Sequence, residues 1–265
     1  MNNNNDQLLI EKKDFIAFLT IHNPKKRNAL TTELLIDLHK KLTELSKTDE
    51  TRCVVIRGSG DMIFSSGFDI GAIPVKKIPD VRQKTPDILL QTLEAIKKFP
   101  YPTIAMLNGH AFGAGFNLCA CCDIRIAADD IKMGMTAVRL GVGYHPEGIQ
   151  QFIEAFGIAR TKEIFYTANT FQGKDLLGKS LVDHMVHKSN LEDFTHAYAQ
   201  KITRNAPLSL KGIKEIITMF ENNMVLNQSN LDKADQIMQK CFQSDDLKEG
   251  QAAFMEKRPP KFIGE

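Results

Sequence analysis

The sequence predicts an α/β fold with a largely parallel sheet and a helical C-terminal region. Apolar runs of strand length alternate with helical patterns between residues 15 and 129, an order typical of parallel strands joined through helices. Beyond Gly148 the pattern becomes mostly helical. No Gly/Ser-rich or Pro-rich linker divides the 265 residues. We therefore assign residues 1–205 to the core and residues 206–265 to a helical region that follows it.

Five apolar or alternating runs predict the strands of this sheet. They are residues 15–21, 52–58, 101–107, 123–129 and 181–187. The turn signals Asn23-Pro24 and Asn108-Gly109 follow the first and third runs, as expected where strands end.

Apolar residues at helical spacing separate these strands. In the first helix, Thr31 or Thr32 provides the N-terminal cap, Glu33 lies in the first turn, and leucines recur through residue 45. The other predicted helices are a short one after Gly113 and residues 89–99, 149–157, 159–168, 173–181 and 191–205, with most residues from 206 onward also helical.

Composition excludes several classes of protein. The formal net charge is +2 and no dense Lys/Arg block is present, which argues against a nucleic-acid partner. The polar start and the lack of an apolar run of membrane-spanning length predict neither a signal peptide nor a membrane segment. Cys119, Cys121 and Cys122 crowd one helix with no nearby His, so we expect buried thiols of a cytoplasmic protein and no metal.

Small residues mark two points where a ligand oxygen can approach the backbone. Gly113, Ala114 and Gly115 open a helix, whose first N–H groups have no partner inside the helix. Gly67 precedes Phe68 at the end of another strand. Two N–H groups from separate loops can form an oxyanion hole. Taken singly, each stretch is also compatible with an ordinary tight turn, and neither matches a dinucleotide-binding motif.

The two stretches belong to a wider set of matching segments. The segments are "NPKKRNAL", "FSSGFDI", "YPTIAMLNGHAFGAGFNL", "CDIRIAA", "LGVGY" and "EGQAAFMEKRPPKF". Together they resemble the crotonase (enoyl-CoA hydratase/isomerase) superfamily along nearly the whole chain. The resemblance implies a spiral core of repeated ββα units, a C-terminal helical region used in trimerisation, acyl-CoA substrates, and a homotrimer or a hexamer. It also implies that the N–H groups of Phe68 and Ala114 hold the thioester oxygen.

The same matching places a set of residues against coenzyme A. Arg27 matches a contact to the CoA phosphates. Ala29, Ser66, Asp69 and Ile70 match positions near the adenine. Two lysines of the tail match residues that reach a CoA, either of the same chain or of a neighbouring subunit; they are Lys257 and Lys261.

Both acid–base positions of the superfamily's hydratases are changed. Those hydratases use two glutamates to add water across a double bond. The matching positions here hold Asn117 and Ala137. An amide has no useful proton affinity near neutral pH and a methyl group has none. Ordinary hydratase chemistry therefore lacks its acid and its base.

Decarboxylation needs the oxyanion hole but no base, because CO2 itself is the leaving group. Within the superfamily the resemblance is closest to the biotin-independent, metal-free decarboxylases of methylmalonyl-CoA. It places Tyr144 near the substrate carboxylate and Thr136 in the adjoining loop. The sequence therefore predicts conversion of a malonyl-type acyl-CoA, such as methylmalonyl-CoA, to propionyl-CoA. No cofactor is expected beyond the coenzyme A of the substrate.

Two neighbouring residues leave other reactions open. His145 follows Tyr144, and because histidine commonly serves as a general acid or base, it is a candidate for that role. Glu147 is a second candidate, although an acid at a helix start is commonly solvated. The alternatives are a hydratase, isomerase or hydrolase that uses one of these groups, or a non-catalytic acyl-CoA-binding trimer.

Overall fold

The computed structural model describes residues 7–69, 88–140, 144–222 and 228–265. Within these ranges the strands form two sheets, one of six strands and one of four. The strands of the large sheet are, in spatial order, β1 (Gln7–Lys13), β2 (Ile16–His22), β3 (Cys53–Gly58), β5 (Thr103–Leu107), β7 (Ile124–Ala128) and β10 (His184–Val186). Those of the small sheet are β4 (Ile63–Ser65), β6 (His110–Phe112), β8 (Lys132–Gly134) and β9 (Thr170–Gln172).

Nine α-helices are present in the described part of the chain. They are α1 (Thr32–Leu45), α2 (Ile88–Lys97), α3 (Ala114–Cys121), α4 (Pro146–Thr167), α5 (Lys174–Gly178), α6 (Leu191–Thr203), α7 (Pro207–Asn222), α8 (Gln228–Gln243) and α9 (Asp245–Glu256). None of the described helices is both long and apolar enough to cross a membrane.

The predicted α/β fold with a largely parallel sheet is confirmed. Strands β2, β3, β5, β7 and β10 run parallel, and only β1 joins the large sheet antiparallel. A strand of the large sheet, a strand of the small sheet and a helix follow one another in β5–β6–α3 and again in β7–β8–α4. This order is the repeated ββα unit that the resemblance implied, and in its first instance the end of β6 comes directly before the start of α3.

Helix α1 shows how sequence pattern and packing agree. Thr31 caps it by accepting the Leu34 N–H, and all five leucines of its apolar stripe are buried. Burying one leucine stabilises a fold by about 1.5–3 kcal/mol. Helix α6 also buries apolar surface, because it packs against β3, β5 and β7. Its buried residues complete the core of the large sheet.

The structure differs from the predicted elements in three respects. Strand β1 was not predicted, because six of its seven residues are exposed and it carries no apolar alternation. Strands β6, β8 and β9 were also missed, since three residues are too few to show a period. The helices predicted at 149–157 and 159–168 both lie within α4, which begins three residues earlier than predicted, at Pro146; the predicted division between them is confirmed by the break at Gly157, where φ is 74°.

Candidate active site

Two glycine turns lie against each other at the ends of β4 and β6. Gly67 has φ of +100° and Gly113 has φ of +52°, a region where a Cβ is strained. A Cβ on Gly67 would lie 2.8 Å from the Phe112 carbonyl oxygen and 3.1 Å from the Ala114 nitrogen. The small residues therefore allow two backbone segments to approach each other closely.

Gly115 serves the same approach one step further along α3. A Cβ at this position would lie 2.7 Å from the Ser65 Cβ and 2.8 Å from its carbonyl oxygen. The first turn of α3 therefore packs directly on β4. This contact explains why the sequence carries so little side chain where the helix begins.

The Phe68 N–H points away from Leu30, the residue with which Phe68 forms an isolated β-bridge. The bridge is parallel. In that bridge the Leu30 N–H donates to the Gly67 carbonyl and the Asp69 N–H donates to the Leu30 carbonyl. The bridge therefore uses groups on either side of Phe68 and leaves its own N–H on the opposite side.

The Ala114 N–H is the second donor. Ala114 is the first residue of α3, and the first N–H groups of a helix have no acceptor within the helix. Neither this N–H nor that of Phe68 meets an acceptor among the described residues. Two unpaired donors on adjacent turns are the groups that a developing oxyanion needs.

A buried chain of neutral hydrogen bonds lies one turn further along α3. Asn117 is 1% exposed and Gln151 is 5% exposed. Asn117 Nδ2 donates to Gln151 Oε1 at 2.8 Å, and the Tyr144 hydroxyl donates to Asn117 Oδ1 at 2.7 Å. Gly148 makes room for this arrangement, since a Cβ there would lie 2.5 Å from Tyr144 Cε1. None of the three side chains has a charge to offer near neutral pH.

The other candidate groups near Tyr144 differ in exposure. Ala137 is buried at the start of a short 3-10 turn, and Thr136 just before it is half-buried and accepts the Arg139 N–H through its carbonyl. The side chains of His145 and Glu147 are 61% and 64% exposed, with Nδ1 and Oε2 3.9 Å apart. They lie at the solvent-facing start of α4.

The residues matched to the adenine side of coenzyme A come from two loops that the fold brings together. The Ser66 N–H donates to the Arg27 carbonyl at 3.1 Å, and Ala29 lies two residues further along the Arg27 loop. Lys26, which sequence reasoning missed, forms a salt bridge of 2.7 Å with Asp69 and links the same loops. Ile70 lies outside the described residues.

Asn28 holds the first of these loops in place. Its side-chain NH2 donates to the carbonyls of Ser59 and Ile63, and its carbonyl accepts the Asn23 N–H. The loop that carries Arg27 is therefore fixed to the turn between β3 and β4.

The tail residues lie elsewhere. The backbone carbonyl of Phe262 accepts a long hydrogen bond of 3.5 Å from the guanidinium of Arg52, which precedes β3. The Lys261 N–H donates to the carboxylate of Glu249. Lys257 is exposed beside Arg258, whose guanidinium binds Glu249 and Glu256. Arg52 lies just before the first residue of β3, whereas the Arg27 loop lies at the other end of the parallel strands. The length of a six-residue strand, about 20 Å, therefore separates them.

The cysteines and His110 have local structural roles. Cys119 and Cys122 donate through sulfur to helix carbonyls one turn back, and burial raises the pKa of Cys122 to about 12. A thiol with such a pKa is a poor nucleophile. His110 accepts the Lys132 N–H at 3.2 Å, and burial lowers its pKa.

Comparison with known proteins decides the family. Residues 11–265 match the sequence model of the enoyl-CoA hydratase/isomerase family. The chain belongs to the enoyl-CoA hydratase/isomerase family. This confirms the resemblance to the crotonase superfamily, and with it an enzyme of the acyl-CoA class.

Relatives within the enoyl-CoA hydratase/isomerase family carry different activities in their names. The methylmalonyl-CoA decarboxylase of Escherichia coli (strain K12) is 32% identical over 250 residues, covering 94% of this chain and 95% of the relative. A probable enoyl-CoA hydratase of Bacillus subtilis (strain 168) is also 32% identical, over 257 residues, covering 95% and 96%. The crystal structure of an enoyl-CoA hydratase from Bacillus anthracis superposes with a TM-score of 0.87 at 28% identity, covering 97% and 99%.

Proposed function

We propose that this family member decarboxylates a malonyl-type acyl-CoA, converting methylmalonyl-CoA to propionyl-CoA. The observation that carries the proposal is the buried amide of Asn117, which pairs with Gln151 and Tyr144 where a base would be needed for hydration. Ala137, at the other acid–base position, adds only a buried methyl group. Decarboxylation is the family chemistry that requires neither group.

The reaction needs the thioester oxygen between the Phe68 and Ala114 N–H groups. The bond between Cα and the carboxylate carbon breaks, CO2 leaves, and the electron pair moves through Cα onto the thioester oxygen as an enolate. Each oxyanion donor contributes about 3–4 kcal/mol to stabilising such a charge. Water or His145 then donates a proton to Cα, which yields the propionyl thioester.

The neutral surroundings of Asn117 favour loss of CO2. A carboxylate that meets the Tyr144 phenol, backed by the neutral amide of Asn117, is not neutralised by a cation, so its charge is stabilised less than in a salt bridge. Tyr144, together with Thr136, would hold the carboxylate out of the thioester plane. That orientation aligns the breaking C–C bond with the carbonyl π system. No biotin or metal is required for this sequence of steps.

Coenzyme A would lie along the joined loops of Arg27, Ala29, Ser66 and Asp69; Ile70, also matched to the adenine, follows Asp69 in the sequence. Because the Lys261 segment is anchored at the other end of the strands, we propose that the tail lysines reach the CoA of a neighbouring subunit in a homotrimer or a hexamer. The free, buried thiols of the described cysteines suit a reducing cytoplasm.

A second candidate is hydration or isomerisation of an enoyl-CoA. Its support is the TM-score of 0.87 with the Bacillus anthracis hydratase and the proximity of His145 to Glu147. This candidate requires one of those exposed side chains to turn inward as the base. A non-catalytic acyl-CoA-binding trimer is the third possibility, and it predicts binding without turnover.

One assay separates the candidates. The purified protein is incubated with methylmalonyl-CoA and, separately, with crotonyl-CoA, and the products are resolved by mass. Propionyl-CoA from the first and no 3-hydroxybutyryl-CoA from the second supports decarboxylation. Rapid hydration of crotonyl-CoA with methylmalonyl-CoA left intact would refute the proposal in favour of the second candidate.

A further inference from the structure

Gln151 occupies the inner end of the hydrogen-bond chain that runs through Asn117 to Tyr144. Both amide side chains are buried, and the ring of Phe165 lies 5.2 Å from that of Tyr144 between centroids. If a hydrogen bond between buried groups is broken and not replaced, the equilibrium constant for the change that breaks it falls several-fold. In the structure the Asn117 NH2 donates to the side-chain carbonyl of Gln151.

The orientation of the Asn117 amide decides where the phenol proton points. An asparagine side chain has a donor end and an acceptor end. With its NH2 held by Gln151 at 2.8 Å, its carbonyl faces Tyr144 and accepts the phenol proton at 2.7 Å. The reverse orientation would present the NH2 to the phenol oxygen and release the phenol proton toward the pocket.

We propose that Gln151 is a positioning residue that, through Asn117, makes the amide carbonyl compete with the substrate carboxylate for the proton of Tyr144. This inference rests on the decarboxylation proposed above. A carboxylate that must share its donor is less stabilised before the reaction, and the disadvantage disappears once CO2 has left and the charge lies on the thioester oxygen. Gln151 thus favours turnover at the expense of substrate affinity.

The test replaces Gln151 by leucine, which has a similar volume and no acceptor. The released Asn117 amide can then turn its NH2 to Tyr144. We expect kcat for methylmalonyl-CoA to fall about tenfold while KM falls about fivefold, the pattern of lost ground-state destabilisation. The inhibition constant of propionyl-CoA, which has no carboxylate, should not change. A distorted binding site would instead raise KM and weaken both ligands, and unfolding of part of the protein would lower kcat without lowering KM.

A matched control lies beside Gln151 on α4. Gln150 is exposed and donates to Glu154, so Gln150→Leu should retain the parent kcat and KM. Gln151→Met, which also lacks a strong acceptor, replaces the leucine variant if that variant does not fold. A Gln151 variant with unchanged constants, or with a raised KM, overturns the inference.

Binding separates this inference from the proposed function. The dissociation constant of methylmalonyl-CoA is measured by calorimetry for the parent chain and for Gln151→Leu. If the parent chain binds methylmalonyl-CoA without consuming it, the proposed function fails. Tighter binding to the variant then still supports the competition for the Tyr144 proton, and equal or weaker binding overturns it. A parent chain that does not bind methylmalonyl-CoA refutes both.

Discussion

The phenol of Tyr144 donates a hydrogen bond of 2.7 Å to the side-chain carbonyl of Asn117. The bond joins the residue that precedes the start of α4 to the middle of α3, next to the turn that holds the Ala114 N–H. It therefore couples the position of the phenol to the helix that carries one of the two proposed thioester donors. Its loss should be visible in stability as well as in activity.

Tyr144→Phe leaves the buried Asn117 carbonyl without its donor. We expect the free energy of unfolding to fall by about 1–3 kcal/mol, the cost of a buried polar group left unpaired. Chemical denaturation of both proteins measures the difference. Tyr166→Phe is the control, because that ring is 76% exposed and its variant should remain within about 0.5 kcal/mol of the parent chain. Equal losses in the two variants would contradict the prediction.

Ala114→Pro removes one proposed thioester donor at a position that tolerates proline. The first residue of a helix needs no N–H for the helix itself, so the fold should be retained. We expect kcat for methylmalonyl-CoA to fall by about 10²–10³-fold. Steady-state kinetics measure this, and a thermal melt checks the fold. Ala114→Gly keeps the N–H and should lose far less activity; a proline variant with the parent kcat would exclude this N–H from the reaction.

Gly148→Ala places a methyl group against the hydrogen-bond chain. The new Cβ would lie 2.5 Å from Tyr144 Cε1 and 3.2 Å from Asn117 Oδ1, so the phenol ring must move. We expect a loss of about 1–3 kcal/mol in the free energy of unfolding, as is typical of overpacking, together with a lower kcat. Gly178→Ala is the control, since its Cβ would meet no atom within 4 Å. Full activity in Gly148→Ala would show that the ring position is unimportant.

The tail has a predictable response to acid. The Arg258 guanidinium and the Lys261 N–H hold the pKa of Glu249 at about 2, below its ordinary value of 4.5. Because the folded pKa is the lower one, these contacts contribute fully above about pH 4.5 and are lost as the pH falls toward about 2. Protection of the Lys261 amide against hydrogen exchange should therefore persist at about pH 4 and decline below it.

Glu249→Gln is the matched variant for this measurement. Its amide does not titrate, so the protection factor of the Lys261 amide should lose the dependence on Glu249 protonation between about pH 4.5 and pH 2. Protection that disappears near neutral pH in the parent chain would contradict the assignment of the tail contacts to Glu249.

Sequence patterns located β2, β3, β5 and β7 because these parallel strands are mostly buried and apolar. Strand β2, for example, has six buried residues in a run of seven. The same criterion fails for β1, whose residues pair fully with β2 while remaining exposed. The strands of the small sheet were missed for another reason. They pair with segments that are distant in the sequence, such as β8 with β9, and a strand of three residues is too short for its sequence pattern to indicate such pairing.

The site was predictable where backbone conformation demanded special residues. Gly67 and Gly113 have positive φ, and this requirement is visible in the sequence. Gln151 left no such signal, because a single glutamine in a helical pattern is usually solvated. The Lys26–Asp69 pair joins residues 43 positions apart, and only the folded chain brings them together.

The anchoring of Phe262 at the start of β3 has a consequence for the behaviour of the enzyme in dilute solution. Under the proposal that the tail lysines serve a neighbouring subunit, a lysine held at that end of the strands would assist the active site of another copy. Acyl-CoA affinity would then follow mass action among subunits, weakening as dilution separates them even though every residue that lines the pocket is unchanged.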